Sequence, residues 1–71
     1  MRQHLFVFPD EPRAVRFVQQ LVHHLRDIAV YRQGASVYLI DAEENRMHRI
    51  LELARESESQ LSIPLPRRDT L

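Results

Sequence analysis

The chain has 71 residues, a formal net charge of zero at pH 7 and no cysteine. This length allows one small domain with a modest core, and the lack of cysteine excludes disulfides and thiolate chemistry. Because the ten basic residues, all of them Arg, are balanced by ten acidic ones, we expect no general nucleic-acid partner. No run approaches the roughly 18 apolar residues of a membrane span, so we expect the segment itself to be soluble and cytosolic.

The first two elements are predicted to be a short strand and an amphipathic helix. Residues 4–8 alternate as a strand that Pro9 ends, with Phe6 and Phe8 on one face. Asp10 is placed to cap the following helix, and Pro12 suits its first turn. The apolar stripe of that helix has the spacing of one buried face, and it comprises Ala14, Val15, Phe17, Val18, Leu21, Val22 and Leu25.

A β-hairpin follows the first helix. Residues 28–32 are predicted as a second strand, and residues 36–41 as a third, with Tyr38 and Ile40 on one face and Val37 and Leu39 on the other. Between the two strands, residues 33–35 contain Gly34, the only glycine of the chain, as a turn with positive φ requires. The two strands should therefore pair antiparallel, and the apolar character of both faces of the third predicts a central position.

A second helix is predicted over residues 42–56. Asp41 and Glu44 have the spacing of a capping box at its start. Its buried stripe is expected to be Met47, Ile50, Leu51 and Ala54, with Leu53 outside the stripe and partly exposed. Residues 61–65 alternate like a strand, but Pro64 and Pro66 restrict them to an edge strand or an extended linker.

The order β-α-β-β-α predicts an α+β fold, a small split βαβ or truncated ferredoxin-like arrangement. A right-handed crossover from strand one to strand two leaves a gap that strand three fills, which gives an antiparallel sheet of order 1-3-2 with both helices on one face. Residues 61–65 would add a fourth strand beside the first. We assign residues 1–57 to the domain and residues 58–71 to a polar, Pro-containing linker.

Candidate catalytic and metal-binding residues all have a simpler structural interpretation. The adjacent His23 and His24 project about 100° apart on a helix and cannot chelate as an i, i+4 pair would. Ser36 belongs to a hairpin rather than a strand-to-helix elbow, and Ser57, Ser59 and Ser62 lie in flexible polar sequence as turn or linker serines. Tyr31 and Tyr38 favour packing on the sheet over RNA stacking. We therefore assign no catalytic, cofactor-binding or metal-binding residue, and we expect no cofactor.

The arrangement of these motifs resembles the N-terminal cytosolic domain of bacterial rhomboid intramembrane serine proteases of the GlpG type. Residues 8–14, Phe-Pro-Asp-Glu-Pro-Arg-Ala, leading into Phe17-Val18, are similar to the family's Phe, then Asn-Pro-Arg-x-Ala, then Phe-Val opening. Residues 37–41, Val-Tyr-Leu-Ile-Asp, resemble its Val-Trp-Leu-x-Asp strand, with Tyr38 in place of Trp. Residues 49–54 resemble its closing Glu-Leu-rich helix. Asp27 stands where the family tends to have Gly. The resemblance covers about residues 5–56.

The resemblance implies a non-catalytic regulatory or accessory domain of a protease that cleaves transmembrane helices. The family's Ser–His dyad lies in membrane-embedded helices that this chain lacks, so no catalytic residue is carried over. The implied location is the cytoplasmic face of the bacterial inner membrane, with the lipid surface and the transmembrane protease domain of the same protein as partners. Arg67 and Arg68 are the candidates for membrane-surface contact.

Two alternatives stay open. The first is that the chain is a free-standing cytosolic ferredoxin-like module that binds a protein or a small ligand, rather than part of a protease. An exposed sheet edge and the short connection at residues 33–35 also make a strand-exchanged homodimer conceivable.

Overall fold

A computed structural model describes residues 3–40 and 44–65, which form a four-stranded antiparallel sheet and two helices. The strand order is β2-β3-β1-β4, so the α+β class and the predicted 1-3-2 order are confirmed, with β4 added beside β1. The elements, in chain order, are β1 (Gln3–Val7), α1 (Glu11–His24), β2 (Ala29–Gln33), β3 (Ser36–Ile40), α2 (Glu44–Glu56) and β4 (Leu61–Leu65).

Helix α1 begins as its sequence predicts. The Asp10 carboxylate accepts a hydrogen bond from the backbone N–H of Arg13 at 3.1 Å, which satisfies one of the unpaired donors of the first turn. The same carboxylate forms an ion pair with the Arg13 guanidinium. At the other end, the N–H of Leu25 donates to the carbonyl of Leu21 at 2.8 Å and closes the last turn.

The β2–β3 hairpin depends on Gly34. Gln33 pairs with Ser36, so the connection has two residues, and Gly34 is the first of them with a φ of +62°. This left-handed conformation costs a residue with a β-carbon more than it costs glycine. The turn is tied to β1, because the N–H of Phe8 donates to the carbonyl of Ala35 at 2.9 Å.

Helix α2 ends in a Schellman motif without a glycine. The N–H of Ser59 donates to the carbonyl of Ala54, and the N–H of Glu58 donates to the carbonyl of Arg55, each at 3.0 Å. Glu58 has a φ of +64°, the left-handed conformation that this motif requires. The chain then reverses, and Gln60 donates its N–H to the carbonyl of Val7 at 2.7 Å to begin β4.

The sequence leaves residues 61–65 as either an edge strand or an extended linker, and the structure shows an edge strand, β4. Residues 61–65 pair with β1, and Pro64 lies opposite His4. Because β4 is an edge strand of the described sheet, a residue without a backbone N–H is tolerated there. The sheet therefore continues into the segment that the sequence analysis assigned to the linker.

The core lies between the sheet and the two helices. The Phe17 ring of α1 packs against Phe6 and Phe8, with centroid distances of 5.0 and 5.1 Å. The remaining buried apolar residues come from both helices and from the central strand β3, and they are Ala14, Leu21, Val37, Leu39, Ile50, Leu53 and Ala54.

Two expectations about the helix faces were wrong. Leu53 is buried, with 2% of its surface exposed, whereas Leu51 is 40% exposed, the reverse of the prediction. The buried stripe of α2 runs through Ile50, Leu53 and Ala54 to Ser57, and a polar residue at its end gives no hydropathy signal. In α1, Val22 was expected in the stripe but is 60% exposed. The capping box that begins at Asp41 lies outside the described residues.

We expect Glu58→Gly to raise the free energy of unfolding by about 1 kcal/mol. A left-handed φ costs a non-glycine residue roughly 1–2 kcal/mol, and the greater chain entropy of glycine offsets part of that gain. Urea unfolding followed by circular dichroism measures the change. Glu58→Ala is the matched control, because it also removes the exposed ion pair with Arg13 but keeps the β-carbon. Equal stability of the two variants would contradict the assignment of strain to this residue.

The neighbouring leucines of α2 provide a second test. Leu53→Ala should lower the free energy of unfolding by about 2–5 kcal/mol, because it leaves a cavity in the core. Leu51→Ala should cost less than about 1 kcal/mol, since that side chain is largely solvated. The chemical change is identical and both sites lie within one helix, so the difference in thermal midpoint reports burial alone.

Candidate functional site

The sheet has one face covered by helices and one that no described element covers. Phe6 pairs with Val37, and both are fully buried beneath the helices. Because strand side chains alternate, the residues between them point to the opposite side. That opposite side is called the open face here, and it comprises Gln3, Leu5 and Val7 of β1, Ala29, Tyr31 and Gln33 of β2, Ser36, Tyr38 and Ile40 of β3, and Leu61, Ile63 and Leu65 of β4.

The open face is apolar and carries no charge. Nine of its twelve residues are aliphatic or aromatic, and the other three are two glutamines and a serine. The edge strands leave the most surface accessible, with Tyr31 56% and Leu61 53% exposed. Contiguous apolar patches of this kind mark interaction surfaces more often than single exposed apolar residues do. The open face is therefore the strongest candidate site of the described chain.

One row of the open face crosses all four strands. Tyr31 pairs with Tyr38, Tyr38 with Leu5, and Leu5 with Ile63. The two tyrosine rings lie 6.1 Å apart, a distance at which aromatic rings interact favourably. The row is thus aromatic on its β2–β3 half and aliphatic on its β1–β4 half.

The sequence predicts that Tyr31 and Tyr38 pack on the sheet. They do contact each other, but more than half of the surface of Tyr31 is open to solvent. Nucleic-acid-binding sheets combine such aromatics with basic residues, and none of the twelve open-face residues is basic. The prediction of no nucleic-acid partner stays a prediction.

A Ser–His contact lies on the other side of the sheet, at its edge. His4 Nε2 is 2.6 Å from Ser62 Oγ, across the β1–β4 pair, and the imidazole stacks on Phe6 with centroids 4.6 Å apart. Burial lowers the pKa of His4, which favours the neutral ring. A nucleophilic serine also requires a group that orients its base and a site for the substrate. Among the hydrogen bonds of the described residues, none joins a carboxylate to His4.

The sequence could not reveal this contact, because it depends on the pairing of β4. The sequence places a fourth strand of residues 61–65 beside the first strand, but its alternation does not give the register. Ser62 is predicted from the sequence to be a turn or linker serine, whereas it belongs to strand β4. We interpret the pair as a cross-strand hydrogen bond that holds β4 to β1.

The other candidate residues lie apart from one another. His23 and His24 are both in the last turn of α1, where His24 lies 3.2 Å from the Gln20 side chain. Within residues 3–40 and 44–65, no group of three or more histidine or acidic residues is placed to hold a metal ion. Ser57 and Ser59 form the end of α2 rather than a catalytic turn.

A shallow cavity of about 290 Å³ lies where the start of α1 meets the end of α2. Arg13 crosses it, paired with Asp10 on one side and 3.5 Å from the Glu58 carboxylate on the other. The charges that line the cavity therefore largely neutralise one another, and the cavity offers little to attract a charged ligand. The full lining is Asp10, Pro12, Arg13, Arg16, Glu56, Ser57 and Glu58.

The residues predicted to contact a membrane, Arg67 and Arg68, lie outside the described residues. Neither α1 nor α2, the helices in the described part of the chain, is long and apolar enough to cross a bilayer. Comparisons with family models, curated proteins and solved structures found no match to this chain.

We expect the stability of the domain to fall as the pH is lowered below about 6.5, with His4 contributing to the fall. Because burial lowers its pKa in the folded state, the folded chain binds fewer protons than the unfolded chain just below about pH 6.5. This contribution is complete above the unfolded pKa and is lost as the pH falls towards the folded value. Urea unfolding at several pH values measures it.

His4→Gln should flatten this part of the profile. The matched control is His48→Gln, which removes an exposed histidine from α2. A profile that both substitutions change equally would contradict the role of His4.

Proposed function

We propose that this chain is the non-catalytic accessory domain of a rhomboid intramembrane serine protease, located on the cytoplasmic face of a bacterial inner membrane. The parent protein would cleave transmembrane substrates, and this domain would modulate it by tethering, by membrane contact or by self-association. The proposal rests on the resemblance of residues 5–56 to the N-terminal domains of that family.

One structural observation supports the proposal. Two motifs of the resemblance, residues 8–18 and 37–41, are separated by 18 residues in sequence, yet apolar residues of both meet in one core. Phe8 and Phe17 of the first motif pack ring to ring, and Val37 and Leu39 of the second are fully buried in the same cluster. The similarity therefore involves residues that determine how the domain packs.

The assignment of a non-catalytic role follows from the family's chemistry. Rhomboid catalysis uses a serine and a histidine within membrane-embedded helices, and the resemblance does not extend to such helices. The Ser62–His4 pair belongs to the cross-strand contact described above. We therefore expect no peptidase activity from residues 1–71 alone.

Membrane contact is proposed through Arg67 and Arg68. Strand β4 ends at Leu65, so these arginines follow the sheet closely in the chain. Basic residues beside a membrane helix contribute about 1 kcal/mol each on an anionic leaflet, and salt screens this attraction. The lipid surface and the transmembrane protease domain are the partners that this arrangement implies.

The second candidate is a free-standing module that binds a protein or a small ligand, and the uncharged open face favours it. A binding module requires an accessible apolar surface, which four strands supply here. The strand-exchanged homodimer through residues 33–35 stays a further hypothesis for either function.

The deciding experiment is to sequence the gene beyond the codon for Leu71. The rhomboid proposal expects several runs of about 20 apolar residues, one of them carrying G-x-S-x-G. A stop codon directly after Leu71 would overturn it and favour the free-standing module.

The membrane part of the proposal is tested by NMR titration of the chain with anionic bicelles. Exchanging both Arg67 and Arg68 for Gln should weaken binding about 30-fold, as two contributions of about 1 kcal/mol imply. Arg49→Gln with Arg55→Gln removes the same charge from α2 and serves as the control. Unchanged resonances of Arg67 and Arg68 on addition of bicelles would exclude membrane contact there.

A further inference from the structure

We propose that a second copy of this chain packs on the open face, forming a weak two-fold dimer in which two sheets meet face to face. In this dimer the aromatic half of the central row of one protomer packs on the aliphatic half of its partner's row. The inference concerns residues 3–40 and 44–65 and does not depend on the proposed function.

The charge distribution supports a second copy as the occupant. Burying a charged group costs free energy unless it is paired, and the open face has no charged group to bury. Two copies can therefore meet without like-charge repulsion and without leaving an ion unpaired. Its three polar residues, Gln3, Gln33 and Ser36, lie at the ends of their strands, towards the rim of the interface.

The register of the sheet supplies the geometry. The central row runs Tyr31, Tyr38, Leu5, Ile63 across strands β2, β3, β1 and β4. A two-fold axis parallel to the strands places β2 of one protomer over β4 of the other. Tyr31 then lies over the partner's Ile63, and Tyr38 over the partner's Leu5. Facing sheets in proteins keep their strands within about 30° of each other, so neighbouring positions of the row also meet.

The area of the face sets the strength of the dimer. Four strands at about 4.8 Å spacing and five residues at about 3.4 Å give a flat area of roughly 320 Å² on each protomer. Stable complexes bury about 800 Å² per partner, and smaller interfaces are weak or transient. We therefore expect a reversible dimer with a dissociation constant in the micromolar range or above.

A lipid surface is a less suitable occupant of the open face. Segments that lie on membranes combine an apolar face with basic residues beside it. Arg32 is the one arginine within the four described strands, and these strands contain no lysine. It pairs with the buried Val37 and therefore lies on the helix-covered side of the sheet, opposite the open face. Within residues 3–40 and 44–65, no strand residue on the open face is therefore basic.

Sedimentation velocity over a range of concentrations, together with NMR spectra on dilution, tests the proposal. The sedimentation coefficient should rise with concentration, and the shifts that change on dilution should be those of the open face. Tyr31→Lys and Ile63→Glu should each raise the dissociation constant at least tenfold, because each buries an unpaired charge in the dimer. Circular dichroism confirms that each variant folds, and Tyr31→Ser is a milder variant at the same position.

The exposed apolar residues of the helices provide matched controls. Val22→Lys resembles Tyr31→Lys in exposure, and Leu51→Glu resembles Ile63→Glu, but both controls lie on helices rather than on the sheet. These two variants should dimerise like the unaltered chain. Mixing Tyr31→Lys with Ile63→Glu should restore association, because the proposed axis brings the two opposite charges together across the interface.

Several results would overturn the proposal. These are a monomer at every concentration, controls that weaken the dimer as much as the open-face variants, or a mixture that fails to associate. A dimer that persists on dilution and ignores the open-face variants would indicate strand exchange instead. Open-face variants that change binding to anionic vesicles but leave the sedimentation of the chain unchanged would assign the face to lipid.

Discussion

The packing of Phe17 against Phe6 and Phe8 is the contact on which the rest of the domain depends. It joins α1 to β1, the strand that pairs with both β3 and β4. Since a domain of this size buries only about 60% of its unfolded surface, three clustered aromatic rings supply a large part of its apolar burial. The same contact determines which side of β1 faces the helices, and thereby which residues of every other strand are left on the open face.

Much of the fold follows from local signals in the sequence. Strand alternation, the Asp10 cap and the position of Gly34 predict the first five elements and the sheet order 1-3-2, all of which the structure confirms. The errors have a common origin in tertiary packing. Leu51 and Leu53 are equally hydrophobic, and only the placement of α2 against the core decides which of them is buried. The Ser62–His4 contact likewise required the register of β4 against β1, which alternation alone does not specify.

The open face could be predicted only in part. The sequence shows that both sides of β3 are apolar, and it places Leu5 and Val7 together on one side of β1. The sequence does not show that both helices pack on the side of β1 opposite Leu5 and Val7. It also does not show that β4 extends the open face by three further apolar residues. Function is harder still, because a fold can carry many functions and several of the residues that resemble rhomboid domains, such as Phe8, Phe17 and Leu39, lie in the core. Such residues report a shared packing solution more directly than a shared activity.

Pro64 affects how readily further chains can add to the β4 edge of the sheet. A sheet edge normally presents a row of backbone donors and acceptors on which further chains can add as strands, the first step towards fibrils. Pro64 of β4 has no backbone N–H to donate, and its ring stiffens the chain beside it. Lateral growth of the sheet is therefore interrupted on that side, whereas the flat surface beside it is left accessible. A chain with so much apolar strand surface can in this way remain free of amyloid-like polymerisation along that edge.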